Sequence, residues 1–105
     1  MYQQPNQGYL SEAELQEKRK ALVEPVIAQI QQVQPIDNGF EFRFNASNPS
    51  LSTLCELIEF ERKCSPFLRF ELLIASQMGP VKLTIAGPAG TQDLLKTEFK
   101  LSRLL

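Results

Sequence analysis

Residues 61 to 72 read Glu61-Arg62-Lys63-Cys64-Ser65-Pro66-Phe67-Leu68-Arg69-Phe70-Glu71-Leu72. This stretch sets a thiol, carboxylates and two guanidinium groups around a proline, the densest grouping of reactive side chains in the chain. A thiol beside cations can be held as a thiolate, which is the nucleophile and soft-metal ligand. A carboxylate drawn out of water must be paired, or its pKa rises until it is neutral. Glu61, Arg62, Cys64, Phe67 and Arg69 therefore form the candidate binding corner.

The elements that must position this corner follow from periodicity. Leu51, Leu54, Cys55, Leu57, Ile58 and Phe60 supply the apolar residues of a helix opened by Asn48 as cap and Pro49 at the first helical position. Pro66 disfavours helix at Ser65, so the helix stops near Cys64. On a wheel of about 100° per residue the apolar stripe averages close to Glu61, with Glu56, Glu59 and Lys63 on the solvated side. Glu61 thus projects toward the core. The preferred reading is a structural ion pair with Arg69 or Arg62, over a carboxylate poised for chemistry. Cys64 reads as a half-buried corner residue rather than a reactive thiol, because a helix C-terminus disfavours a thiolate. Cys55 reads as core filling. Phe60 projects away from the main stripe and is a candidate dimer contact.

Leu68, Phe70, Leu72 and Ile74 alternate with Arg69, Glu71 and Leu73 as a strand. Met78-Gly79-Pro80 turns the chain into Val81-x-Leu83-x-Ile85. Gly87-Pro88-Ala89-Gly90 then leads to a last helix with Leu94, Leu95 and Phe99 inward. That loop could offer N–H groups to an anion, but it lacks the spacing and lysine of a phosphate loop.

Upstream, Ser11 and Glu14 form a capping box, with Leu10 and Leu15 as a hydrophobic staple. The first helix is expected to end near Val23, before Pro25. Phe40-Glu41-Phe42-Arg43-Phe44 alternates and needs a partner strand across a turn at Asp37-Asn38-Gly39. Gln29–Ile36 is the nearest candidate, and its poor alternation calls for a bulge or a longer loop. The fold class is α+β: an N-terminal helix plus two hairpin-helix (ββα) units, with a four-stranded antiparallel sheet and helices packed on one face. An internal duplication and the ordinary grammar of small α+β domains both give this order. Residues 1–9 read as a disordered tail and 10–105 as one domain.

Composition bounds the function. The 105 residues carry a net charge of −1 with no basic excess, which argues against nucleic-acid binding. No apolar run reaches the length of a membrane span, and the first residues lack a signal-peptide order. The expected location is cytoplasmic, with both cysteines reduced. With no histidine, the Ser-His-Asp and Cys-His arrangements are excluded within the chain, as is a closed zinc site. No catalytic residue, metal or cofactor is assigned.

Glu61-Arg62-x-Cys64-x-Pro66-Phe67-x-Arg69-Phe70-x-Leu72, followed by Leu83-x-Ile85-x-Gly87-Pro88-x-Gly90-Thr91, resembles a small uncharacterised bacterial protein family. That family reads ER-x-C-C-P-F-x-R-F, then L-x-I-x-G-P-x-G. The likeness spans roughly residues 26 to 100 and brings no assigned activity with it. Its vicinal cysteine pair implies soft-metal or redox chemistry, but Ser65 holds the second position here and removes a two-thiol chelate. The leading expectation is a small cytoplasmic binding or interaction module without catalysis, taking a small-molecule or protein partner, with a homodimer as an option. The alternative is a thiol-based redox or soft-metal sensor using Cys64. An enzyme using Glu61 as acid or base has no substrate-binding signature behind it.

Overall fold

The computed structural model describes residues 11–45 and 49–101. The tail expected over residues 1–9 lies outside them, as do Leu10 of the staple and Asn48 of the expected cap. The order is α1 (Glu12–Ile27), β1 (Ile30–Ile36), β2 (Gly39–Phe44), α2 (Leu51–Cys64), β3 (Arg69–Ile74), β4 (Val81–Ala86) and α3 (Thr91–Glu98). The four strands form one antiparallel sheet ordered β1-β2-β4-β3, so the α+β class and both hairpins stand as expected.

The two hairpins meet through their inner strands. Phe42 lies opposite Leu83, the residue with the matching place in the parallel triplet Val81-Leu83-Ile85. Phe40, Phe42, Phe44, Val81, Leu83 and Ile85 share one face and are buried. Val23 and Val26 of α1, Leu54 and Leu57 of α2, Leu95 of α3 and Phe99 just past its end join them in a single core. Phe99 stacks on Phe42 with ring centroids 5.9 Å apart. The alternate residues of the inner strands, Glu41, Arg43, Lys82 and Thr84, take the opposite, open face, where Lys82 and Glu41 approach to 3.7 Å.

Three local expectations are corrected. The first helix does not stop before Pro25 but runs to Ile27. Buried Val23 and Val26 flank the proline, and each fully buried side chain contributes about 1.5–3 kcal/mol. That offsets a penalty of about 3 kcal/mol for an internal proline. The second helix is capped by Ser50, whose Oγ accepts from the Thr53 N–H at 3.2 Å, so Pro49 precedes the cap instead of opening the helix. In the first hairpin Asn38 alone carries the turn's positive φ, 55°, and Gly39 already belongs to β2. The second hairpin turns next to Gly79-Pro80 as expected, with Gly79 N–H donating to the Ser76 carbonyl at 3.0 Å and Gln77 and Met78 both left-handed at φ 57°.

The Ser11–Glu14 capping box forms as expected: Glu14 N–H donates to Ser11 Oγ at 3.1 Å, and Ser11 N–H to Glu14 Oε1 at 2.9 Å. The expected bulge in β1 also appears, between Ile30 and Gln32.

Candidate functional site

Helix α2 turns Leu54, Leu57, Phe60 and Glu61 inward. Glu61 is 0% exposed, as its place on the wheel required. Its partner is neither Arg69 nor Arg62 but Arg19 of α1, whose Nε donates to Glu61 Oε2 at 3.0 Å. Arg19 extends its Nη1 to Glu98 Oε2 of α3 at 3.6 Å, so one guanidinium joins all three helices. The Oε1 atoms of Glu61 and Glu98 are buried and lack a hydrogen-bond partner among the described residues.

Burial pushes the Glu61 carboxyl above its ordinary range; Arg19 opposes this and Glu98 adds to it. Burial also works against the Arg19 charge, but Glu61 and Glu98 outweigh it and hold the guanidinium more firmly protonated. The cluster is a structural clamp. Its arginine was missed in the sequence because Glu17-Lys18-Arg19-Lys20 reads as a solvated charge run. The signal was there: Arg19 stands four residues from both Leu15 and Val23, on the inward stripe of α1.

The other residues of the expected corner diverge. Arg62 points to solvent and approaches Glu59 at 3.8 Å. Arg69 lies on the open face of the sheet and pairs with Glu71. Phe67 is exposed beyond the helix end. Cys64, one helical turn beyond buried Glu61, is exposed and lines the space between α1 and α2. Burial raises the Cys64 thiol pKa, with Glu61 and Glu98 adding to the rise and Arg19 and Lys18 opposing it. The five residues share a stretch of sequence, and the structure does not gather them into one pocket.

What it gathers instead is a groove of about 770 Å³ between α1 and α2. Leu15 and Leu22 of α1 face Phe60 of α2 there, and Cys55 and Cys64 both line it. Two expectations change. Cys55 is exposed rather than core filling, because the α2 face beside Leu54 and Leu57 is left partly open by α1. Phe60 is buried rather than free for a dimer contact, because α1 covers it: the Lys18 Nζ and Arg19 Cζ lie 5.7 and 5.4 Å from its ring centroid. Cations over an aromatic face are attracted by its quadrupole. Lys18, Glu59 and Lys63 form part of the polar rim. Nine residues of helix separate the two cysteine alpha carbons by about 13 Å, too far for a disulfide within α2.

The loop before α3 turns Thr91 back onto Pro88. Thr91 N–H donates to the Pro88 carbonyl at 3.1 Å, and the Thr91 hydroxyl donates to the same oxygen at 2.6 Å. Among the described residues no three of His, Cys, Asp and Glu are grouped to hold a metal ion. Nor, among them, is any helix long and apolar enough to cross a membrane.

Compared with protein-family models, with curated proteins and with solved structures, the chain matches none.

Proposed function

We propose that the chain is a small cytoplasmic binding module without catalysis of its own, whose site is the α1–α2 groove. Its occupant is a small molecule with an apolar body packing on Leu15, Leu22 and Phe60 and a polar edge meeting the charged rim. The observation that carries this reading is the groove itself. Its volume of about 770 Å³ falls within the range of small-molecule sites. An apolar and aromatic floor with a few polar groups is how such sites are lined. A depression of about 840 Å³ on the other side of α1 also meets Val23, Ile27 and Phe99, but Glu17, Arg19, Lys20, Glu24, Glu98 and Lys100 border it, which suits an apolar body less. The sensor reading draws less support, since burial raises the Cys64 thiol pKa instead of lowering it.

The test is fluorescence titration with anilinonaphthalene sulfonate, alongside maleimide labelling of Cys55 and Cys64. Saturable binding that slows labelling of both thiols and is lost in Leu22→Glu is the expected result. Cys64→Ser should bind the probe as wild type does. Probe binding unaffected by Leu22→Glu would overturn the groove as the site. Loss of sub-micromolar soft-metal binding in Cys64→Ser would promote the sensor reading.

A further inference from the structure

We propose that β3 is a docking edge for a second copy of this chain, the two β3 strands pairing antiparallel to make one continuous eight-stranded sheet. The two sheet edges, β1 and β3, are built differently. β1 carries a bulge between Ile30 and Gln32 and a proline at Pro35, with Gln31, Gln32 and Gln34 exposed. Bulges and prolines are the devices that keep an edge from pairing with another chain. β3 has neither, and its register with β4 is unbroken from Arg69 to Ile74. It leaves Leu73 53% and Ile74 55% exposed, with Phe67 at 51% before it and Met78 at 75% after it. Four of the five large apolar side chains exposed among the described residues thus lie on this strand or its flanks.

The backbone of β3 is set for pairing. Ala75 N–H donates to the Pro80 carbonyl at 3.2 Å, so the odd-numbered residues of β3 bond inward to β4. In an antiparallel ladder the alternate residues then turn outward. Phe70, Leu72 and Ile74 therefore present N–H and C=O groups at the free edge.

Charge order selects the partner and the register. A two-fold axis centred on Phe70 sets Arg69 opposite the partner's Glu71, and Glu71 opposite the partner's Arg69. In that register the ladder between the copies spans Arg69 to Glu71, since Leu68 N–H is given to the Ser65 carbonyl and Pro66 has no N–H, and the Leu73–Ile74 end of each copy lies beside the Phe67 corner of the other. Centring on Glu71 would set that carboxylate against its own copy, and centring on Leu72 would set it against the partner's Leu73. Opposite charges across strands attract and like charges repel. A strand that is complementary to itself in this way fits an isologous dimer. The chain's net charge of −1 leaves little general repulsion between copies. This surface is independent of the α1–α2 groove.

The test is light scattering on the full chain over a dilution series, with circular dichroism confirming that each variant is folded. A dimer that dissociates on dilution is the expected result. Arg69→Glu and Glu71→Arg should each weaken it by about tenfold. The double variant Arg69→Glu/Glu71→Arg should restore it, and Leu73→Lys should abolish it. A chain monomeric at every concentration would overturn the proposal. So would a dimer indifferent to the single charge reversals, or one lost in Leu22→Glu of the groove.

Discussion

Arg19 Nε donates to Glu61 Oε2 at 3.0 Å across 42 residues of sequence, and this bond fixes α1 against α2. Without Arg19, a wholly buried carboxylate would face Glu98 and no cation within reach of a salt bridge among the described residues. Removing one partner of a buried ion pair costs roughly 3–5 kcal/mol, while replacing both by apolar residues is often close to neutral. Arg19→Leu is therefore expected to lower the stability read by urea unfolding by roughly 3 kcal/mol or more. Arg19→Leu/Glu61→Leu should recover much of the loss. Arg69→Ala removes only an exposed pair and should stay within about 0.5 kcal/mol of wild type. Equal losses in Arg19→Leu and Arg69→Ala would refute the clamp.

The same cluster has a pH signature. Burial raises the Glu61 pKa above its unfolded value, against Arg19 and with Glu98. A raised carboxyl pKa means the folded state holds its proton more tightly than the unfolded chain. The resulting contribution to stability is complete below the unfolded pKa, about 4.3, and is lost as pH rises through the folded value. Arg19 from α1, Glu98 from α3 and Cys64 on α2 itself are the charged and titratable groups around it. Glu61→Gln lacks this proton, so its stability relative to wild type should improve as pH rises from acid toward neutral. Unfolding midpoints of both proteins across that range provide the check. A gap moving the other way would show that Arg19, rather than burial, dominates the Glu61 titration.

Local spacing made much of this molecule legible. The inward aim of Glu61 followed from the helical wheel, and the stop at Cys64 from Pro66. The two hairpins followed from the alternation of Phe40-Phe42-Phe44 and Val81-Leu83-Ile85. What spacing does not encode is which helix lies over which. The pairing of Arg19 with Glu61, the cover over Phe60 and the exposure of Cys55 all depend on where α1 docks, a tertiary event. The corner at 61–71 failed as a single pocket for a related reason. Helix and strand periods differ, so neighbours in sequence leave the joint in different directions: Glu61 inward, Cys64 into the groove and Arg69 onto the open sheet face. Pro25 shows burial overriding a local rule.

Gly39 owes its place to contact, not to the turn. A Cβ at this position would lie 2.2 Å from the Ile85 carbonyl oxygen and 2.7 Å from the Ala86 Cα. Both are backbone atoms of the neighbouring strand, so no rotamer change relieves the clash. Gly39→Ala must push β2 from β4 in the middle of the sheet. Overpacking of this kind typically costs about 1–3 kcal/mol, and a backbone obstacle places it at the upper end. Thermal unfolding of Gly39→Ala should show a marked drop, with the midpoint falling well below that of Asn38→Gly. A wild-type midpoint for Gly39→Ala would mean that the strands are not held this close.

The two thiols separate the binding and sensing readings most directly. Cys55 and Cys64 are exposed on one groove, so both should react with a disulfide reagent without unfolding. Thiolate, not thiol, is the attacking species. Burial raises the Cys64 pKa, and Glu61 and Glu98 add to the rise, while Arg19 and Lys18 only partly oppose it. At neutral pH Cys64 should therefore react more slowly than a small free thiol. Its rate should keep climbing with pH beyond the point where that reference levels off. Mild oxidation should yield no intrachain disulfide, since the two alpha carbons are about 13 Å apart along an intact helix. Rate–pH curves for Cys55→Ser and Cys64→Ser assign each thiol. A Cys64 that outpaces the reference at neutral pH, or a Cys55–Cys64 disulfide in folded protein, would favour the sensor over the binding module.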